Sequence, residues 1–162
     1  MSGSRIAPAR GRIALAASLL GGAARVAAGV LWLLEGVLKY RAGFGASDIL
    51  LVAEGSAGNT RVPWFFAPLG DLMRTAPGLF GIAIPALEVL LGVLLILGGG
   101  RVWTVIVALC SIGTLMLYWS SDQLIAQYPI LVVLSALVLA IPQAGRIGLP
   151  LLTRTRRPGP QP

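Results

Sequence analysis

Long apolar stretches dominate this chain, and they restrict its fold more than any other feature. A helix that spans a membrane needs about 17–25 mostly apolar residues, and four stretches of the sequence have this character. In lipid every backbone N–H and C=O group must find its partner within the segment, so such stretches fold as α-helices. The predicted spans are residues 13–38, 79–97, 102–119 and 124–141.

The composition supports an integral membrane protein. Hydrophobic residues make up 56% of the 162-residue chain and charged residues 12%, whereas soluble domains carry about 25% charged residues. A soluble domain of this size could not bury so much apolar surface. The links at residues 98–101 and 120–123 are short, and short links join antiparallel neighbours. We therefore predict an all-α protein, an antiparallel four-helix bundle in the membrane.

One membrane domain between two basic tails is the predicted organisation. The tails are residues 1–12 and 146–162, the second expected to be disordered, and the four-helix domain covers residues 13–145. A long loop at residues 39–78 joins the first two spans. Aromatic side chains concentrate at the level of the lipid headgroups, so we expect the aromatic cluster of this loop to lie there. The cluster is Trp64, Phe65 and Phe66.

Basic residues predict the orientation of the chain. Both tails are rich in arginine, while the link at residues 120–123 has no basic residue. Cytoplasmic segments carry the excess of Lys and Arg, so both termini are expected in the cytoplasm and the long loop outside. The net charge of +7 then reflects orientation and contact with anionic lipids, and no nucleic-acid partner is expected.

Several classes of chemistry are excluded by composition. The chain has no histidine and one cysteine, Cys110, which removes His-ligated haem or zinc, disulfides within the chain and four-cysteine metal sites. No metal site is predicted. No complete set of catalytic residues is evident, so the sequence leaves open whether the chain is an enzyme.

Charged residues inside the predicted spans are the candidate site. A charge within a membrane costs about 2.5–3.5 kcal/mol on insertion scales, so it needs a partner or a function. Arg25 and Glu88 are the deepest, and we predict that they pair, either to fix helix register or to form a site for a quinone headgroup, a proton or another ligand. Glu35 and Lys39 are four residues apart, which favours a helical ion pair. That pair is expected at the membrane interface, with Glu35 lining a water-filled opening as the alternative.

The spacing of these residues resembles a known family. Span one has Arg25 and then Glu35-Gly36-Val37-Leu38-Lys39, and span two has Glu88-Val89-Leu90-Leu91-Gly92. The pattern is similar to that of the DoxX family of small four-helix bacterial membrane proteins, over residues 21–144. Many members carry His where Glu35 stands, so a role that depends on that imidazole does not transfer.

The resemblance implies a location in the bacterial plasma membrane and a link to redox systems. One branch of the family is like the DoxD subunit of thiosulfate:quinone oxidoreductase, and actinobacterial members are associated with a complex of superoxide dismutase and a sulfurtransferase. A quinone is the cofactor that this implies, and a protein partner or a larger complex is expected. The nominated site residues are Arg25, Glu35, Lys39 and Glu88.

Three functions fit the sequence. The first is a membrane subunit or anchor of a redox complex, non-catalytic or partly catalytic. The chain has no haem ligands, dithiol or flavin motif, so a partner would have to supply electrons. The second is a stand-alone transporter or lipid-handling protein, which intramembrane charges would suit. The third is a purely structural accessory subunit, for which the long loop would form a partner surface.

Overall fold

The computed structural model describes residues 6–123 and 125–145. The regular secondary structure of the described residues is all helical, with no strand among them, as the sequence predicts. Two short 3-10 turns lie at Trp64–Phe66 and Pro142–Gly145. The predicted tail at residues 146–162 lies outside the described residues. The helices are α1 Ile6–Ala42, α2 Ala46–Ser56, α3 Ala67–Thr75, α4 Pro77–Leu97, α5 Arg101–Ser120 and α6 Gln127–Ala140.

Three of these helices, α1, α4 and α5, are long and apolar enough to span a membrane. Their length and composition agree with the predicted membrane protein. Helix α1 has 37 residues and extends beyond the predicted span 13–38 at both ends. It ends before Gly43, whose φ of 76° is the left-handed conformation that commonly terminates helices.

Helix α6 is shorter than the predicted fourth span. It has 14 residues, whereas about 17–25 are needed to cross a membrane at full length. Two prolines set its limits. Pro129 lies in the first turn, where its missing N–H costs no helical hydrogen bond. Pro142 disfavours helical backbone at Ile141, which is extended with φ −101° and ψ 104°.

The predicted loop 39–78 is mostly helical. It completes α1 and then forms α2 and α3, which pack on each other and on α4. Their shared core contains Ile49, Ala53 and Met73 together with Phe66. Phe66 is 2% exposed and packs inside this core, so its ring does not face lipid headgroups. Successive side chains of a 3-10 turn point about 120° apart, so Phe66 faces inward while its two neighbours, Trp64 and Phe65, remain exposed.

Close backbone contact joins α1 and α4. A Cβ atom on Gly92 would lie 2.6 Å from the backbone nitrogen of Leu33, and one on Gly36 would lie 2.7 Å from the carbonyl oxygen of Pro85. Small residues let helix backbones approach each other in a membrane. The glycines therefore set the register in which α1 passes α4, and this register positions the charged side chains.

A buried chain of hydrogen bonds links α1, α5 and α6. The indole nitrogen of Trp32 donates to Ser111 Oγ at 2.7 Å, and the hydroxyls of Ser111 and Ser135 lie 2.9 Å apart. Trp32 is fully buried, and Ser111 and Ser135 are buried beside it. Polar contacts of this kind hold helices together where lipid provides no hydrophobic driving force.

The substitution Trp32→Phe is expected to lower the free energy of unfolding by about 1 kcal/mol, the scale of one interhelical hydrogen bond in a membrane. Phenylalanine keeps a ring against Tyr118 but removes the indole donor. A double-mutant cycle with Ser111→Ala, followed by thermal unfolding in detergent, isolates the bond. Trp103→Phe is the control, since Trp103 is 44% exposed. If the stability losses of Trp32→Phe and Ser111→Ala simply add in the double variant, the hydrogen bond between the two side chains is not present.

Candidate functional site

Arg25 binds helix-end carbonyl groups. Its Nε donates to the carbonyl oxygen of Ala144 at 3.1 Å, and its Nη1 donates to the carbonyl oxygens of Leu95 and, at 3.2 Å, Ile96. The last carbonyls of a helix have no partner within the helix, and a cation there complements the helix dipole. Arg25 is 1% exposed, so it is a buried clamp between the end of α4 and the turn at Pro142–Gly145.

The predicted pair of Arg25 with Glu88 is wrong. Leu95 follows Glu88 by seven residues on α4, which is about 10 Å along a helix axis. The close glycine contacts place Arg25 opposite the end of α4 and bring a later part of α1 level with Glu88. Glu88 is therefore paired with Lys39 instead.

Glu88 belongs to a buried polar cluster, which we define as Glu35, Lys39, Glu88, Tyr118 and Gln127. The Nζ of Lys39 forms an ion pair with Oε1 of Glu88 and another, at 3.2 Å, with Oε1 of Glu35. The Tyr118 hydroxyl donates to Oε1 of Glu88 at 2.6 Å, and the Gln127 amide donates to Oε2 of Glu35. Helices α1, α4, α5 and α6 each contribute to the cluster, so it joins all four.

The Glu35–Lys39 ion pair forms as predicted, but its surroundings differ from those expected at an interface. Only 10% of the Glu35 side chain and 16% of the Lys39 side chain are exposed, while the Glu88 side chain is fully buried. The interpretation of a solvated interfacial pair is therefore wrong. Three of the four nominated residues meet in one cluster, and Arg25 lies apart from them.

Sequence reasoning missed the contributions of α5 and α6. Tyr118 and Tyr128 lie near span ends, which is the usual place for an aromatic belt. In the structure they are 8% and 6% exposed, with ring centroids 5.3 Å apart. Gln127 lies at the start of α6 and has no charge to mark it. The sequence does show that these residues are polar groups in apolar segments. It does not show whether their side chains face the lipid or the other helices.

An apolar cavity of about 210 Å³ adjoins the cluster between α4, α5 and the α2–α3 segment. Lys39 lies in its wall, with Nζ 5.6 Å from the ring centroid of Phe44 and 5.0 Å from that of Tyr118. An apolar cavity of about 150 Å³ can hold benzene, so this one is large enough for a single substituted ring. Apolar lining residues include Ile49, Phe66, Met73, Phe80, Ala83 and Ile84.

The described part of the chain brings together no group of three or more His, Cys, Asp or Glu side chains that could hold a metal ion. The carboxylates of the polar cluster are occupied by an ammonium, a hydroxyl and an amide donor. What the arrangement offers chemically is hydrogen bonding and proton exchange at the edge of an apolar cavity.

Comparison of the chain with protein-family models, with curated proteins and with solved structures found no match. The function must therefore be inferred from the polar cluster and the cavity themselves.

Proposed function

We propose that this chain is a DoxX-like membrane subunit of a redox assembly in the bacterial plasma membrane and that it binds a quinone-type ligand beside Lys39. The observation that carries the proposal is the cavity, whose wall is mostly apolar and includes one ammonium group. Pockets for lipophilic ligands combine an apolar lining with a few polar groups that fix orientation.

The charge around Lys39 selects the class of ligand. Glu35 and Glu88 already contact its ammonium group, so an anionic headgroup, such as that of a fatty acid, would add negative charge to a buried site. A neutral carbonyl oxygen accepts a hydrogen bond without this cost. A quinone ring offers such oxygens on an apolar body, which favours it over a charged lipid.

The proposed architecture is an antiparallel four-helix bundle with α6 as the fourth crossing. Gly29 contacts Ile96 while Gly36 contacts Pro85, which supports antiparallel packing of α1 and α4. Arg101 donates to the carbonyl oxygen of Leu139 at 2.6 Å, so it lies at the same end as the arginine-rich tails. The positive-inside rule favours the cytoplasm for that end, which puts the cavity near the outer face.

Electron exchange requires a partner in this proposal. The chain has no histidine and a single cysteine, so it lacks the usual ligands of a haem or an iron–sulfur cluster. A bound quinone would exchange electrons with a cofactor of another protein in the assembly. The role proposed for this chain is to hold the ring and to supply a hydrogen-bond donor and protons.

Ala83→Phe is expected to weaken quinone binding about tenfold or more, a loss of about 1.4 kcal/mol or more. Ala83 lines the cavity, and a phenyl group there fills the space for the ring. Binding is measured by tryptophan fluorescence quenching with short-tailed ubiquinone and menaquinone analogues, using the full chain in nanodiscs.

The matched control is Ala86→Phe. Ala86 lies on the same helix, is exposed and does not line the cavity, so binding should stay as in the parent protein. Equal quinone affinity in both variants would refute the site. Displacement of the quinone by a fatty acid at equal concentration would support a lipid-handling function, and the absence of any saturable binding would support a structural subunit.

A further inference from the structure

The charges of the polar cluster do not balance. Glu35 and Lys39 come from α1 and Glu88 from α4, whereas α5 and α6 contribute the uncharged side chains of Tyr118 and Gln127. Tyr128 of α6 packs against Tyr118 and adds no charge. The α2–α3 segment presents apolar side chains on the cavity side. With both carboxylates ionised, the cluster would carry one excess negative charge around the fully buried Glu88. An uncompensated buried charge costs several kcal/mol.

The hydrogen bonds show which carboxylate oxygen has no donor to stabilise a negative charge. Both oxygens of Glu35 accept, one from Lys39 and one from Gln127. Oε1 of Glu88 accepts from Lys39 and Tyr118. Oε2 of Glu88 is buried and has no hydrogen-bond partner among the described residues. Buried polar atoms are nearly always hydrogen-bonded, so this oxygen calls for an explanation.

A second buried atom faces the same situation. The hydroxyl of Tyr128 is also buried and makes no hydrogen bond of normal geometry among the described residues. These are the two buried side-chain polar atoms in this condition among the described residues. Glu88 belongs to the polar cluster, and Tyr128 packs against Tyr118 of that cluster, with ring centroids 5.3 Å apart.

We propose that Oε2 of Glu88 binds a proton at neutral pH, which leaves a neutral Glu88 beside the Glu35–Lys39 ion pair. One proton removes the excess charge, and Oε2 is the carboxylate oxygen of the cluster that accepts from no donor. A metal ion would need further ligands, and the described residues provide no such group. A proton needs only the one oxygen.

The position of Lys39 makes this proton exchangeable. Lys39 contacts Glu88 and also lines the cavity, and 16% of its side chain is exposed. An ammonium group has no free lone pair, so Lys39 first gives one of its own protons to an acceptor in the cavity and then takes the proton of Glu88, which restores its charge. The proton site exists whether or not a quinone binds, so it does not depend on the proposed function.

Infrared spectroscopy of the full chain in nanodiscs tests the assignment. The C=O stretch of a protonated carboxyl group is expected near neutral pH in the parent protein. It should be lost in Glu88→Gln. Tyr118 donates only to Glu88 and Gln127 only to Glu35, so Tyr118→Phe should shift the frequency of the signal and Gln127→Leu should not, while both keep the number of charges. A shift in Gln127→Leu alone would place the proton on Glu35 and overturn the proposal, as would the absence of any signal in the parent protein.

A second measurement needs no substitution. Growth with ¹³C-labelled glutamate should shift the protonated C=O signal of the parent protein, and raising the pH should abolish it. A signal that does not respond to the label would not come from a glutamate, and the proposal would then be wrong. Because no quinone is added, failure here is distinguishable from failure of the quinone site.

Discussion

Lys39→Met is expected to lower the free energy of unfolding by about 3–5 kcal/mol, the loss typical of removing one partner from a buried ion pair. Methionine keeps the length and apolar character of the side chain, so the loss comes from the charge. Oε1 of Glu35 and Oε1 of Glu88 would both lose the ammonium donor. Thermal unfolding in detergent near neutral pH measures the effect.

Arg41→Met is the matched control for this change. Arg41 lies in the last turn of α1, two residues beyond Lys39, and is exposed, so its loss should have little effect on unfolding. Adding Glu35→Gln to Lys39→Met should recover stability, because the cluster becomes neutral again when Glu88 holds a proton. Unfolding of Lys39→Met at the same temperature as Arg41→Met would show that the ammonium is not structurally required.

The substitution Gly92→Val is expected to cost about 3 kcal/mol or more, at or above the upper end of the usual range for overpacking. Its first added atom would meet the backbone nitrogen of Leu33 at 2.6 Å and the carbonyl oxygen of Gly29 at 2.8 Å. Backbone atoms cannot rotate away as a side chain can, so α1 and α4 must separate. The melting temperature in detergent should fall strongly.

Gly113→Val provides the comparison for this substitution. Gly113 lies on α5, and a Cβ there would meet nothing within 4 Å. The two substitutions make the same change of residue type in a helix and differ in the available space. If Gly92→Val and Gly113→Val melt at the same temperature, the close contact between α1 and α4 is not present in the protein.

Helix length and apolar character could be predicted from the sequence, and helix pairing could not. The apolar runs that form α4 and α5 could be predicted as helices from the cost of leaving backbone groups unpaired in lipid. The pairing of Glu88 depended on register, which comes from backbone contacts at Gly36 and Gly92. The sequence does not show which helix a glycine of an apolar segment will contact. The register of α1 on α4 was therefore unknown, and Arg25 was paired with Glu88 incorrectly.

The cavity could not be predicted either, for a related reason. Its lining joins Phe44 and Phe66 of the predicted loop with Ile84 of α4. These residues are brought together by the packing of α2 and α3, which the apolar pattern of a membrane span does not describe. Charged residues within apolar stretches were the useful signal for Glu35 and Glu88, and the spacing of four residues from Glu35 was the signal for Lys39; all three lie in the polar cluster.

The polar contacts of α1 have a consequence for biosynthesis. Glu88 follows Lys39 by 49 residues, and Leu95 and Ala144 follow Arg25 by 70 and 119 residues. A charged side chain costs about 2.5–3.5 kcal/mol at the centre of an inserting helix. When α1 leaves the ribosome, these partners have not yet been made. We expect α1 to remain beside the insertion machinery until α4 emerges, so that the two helices enter the lipid together.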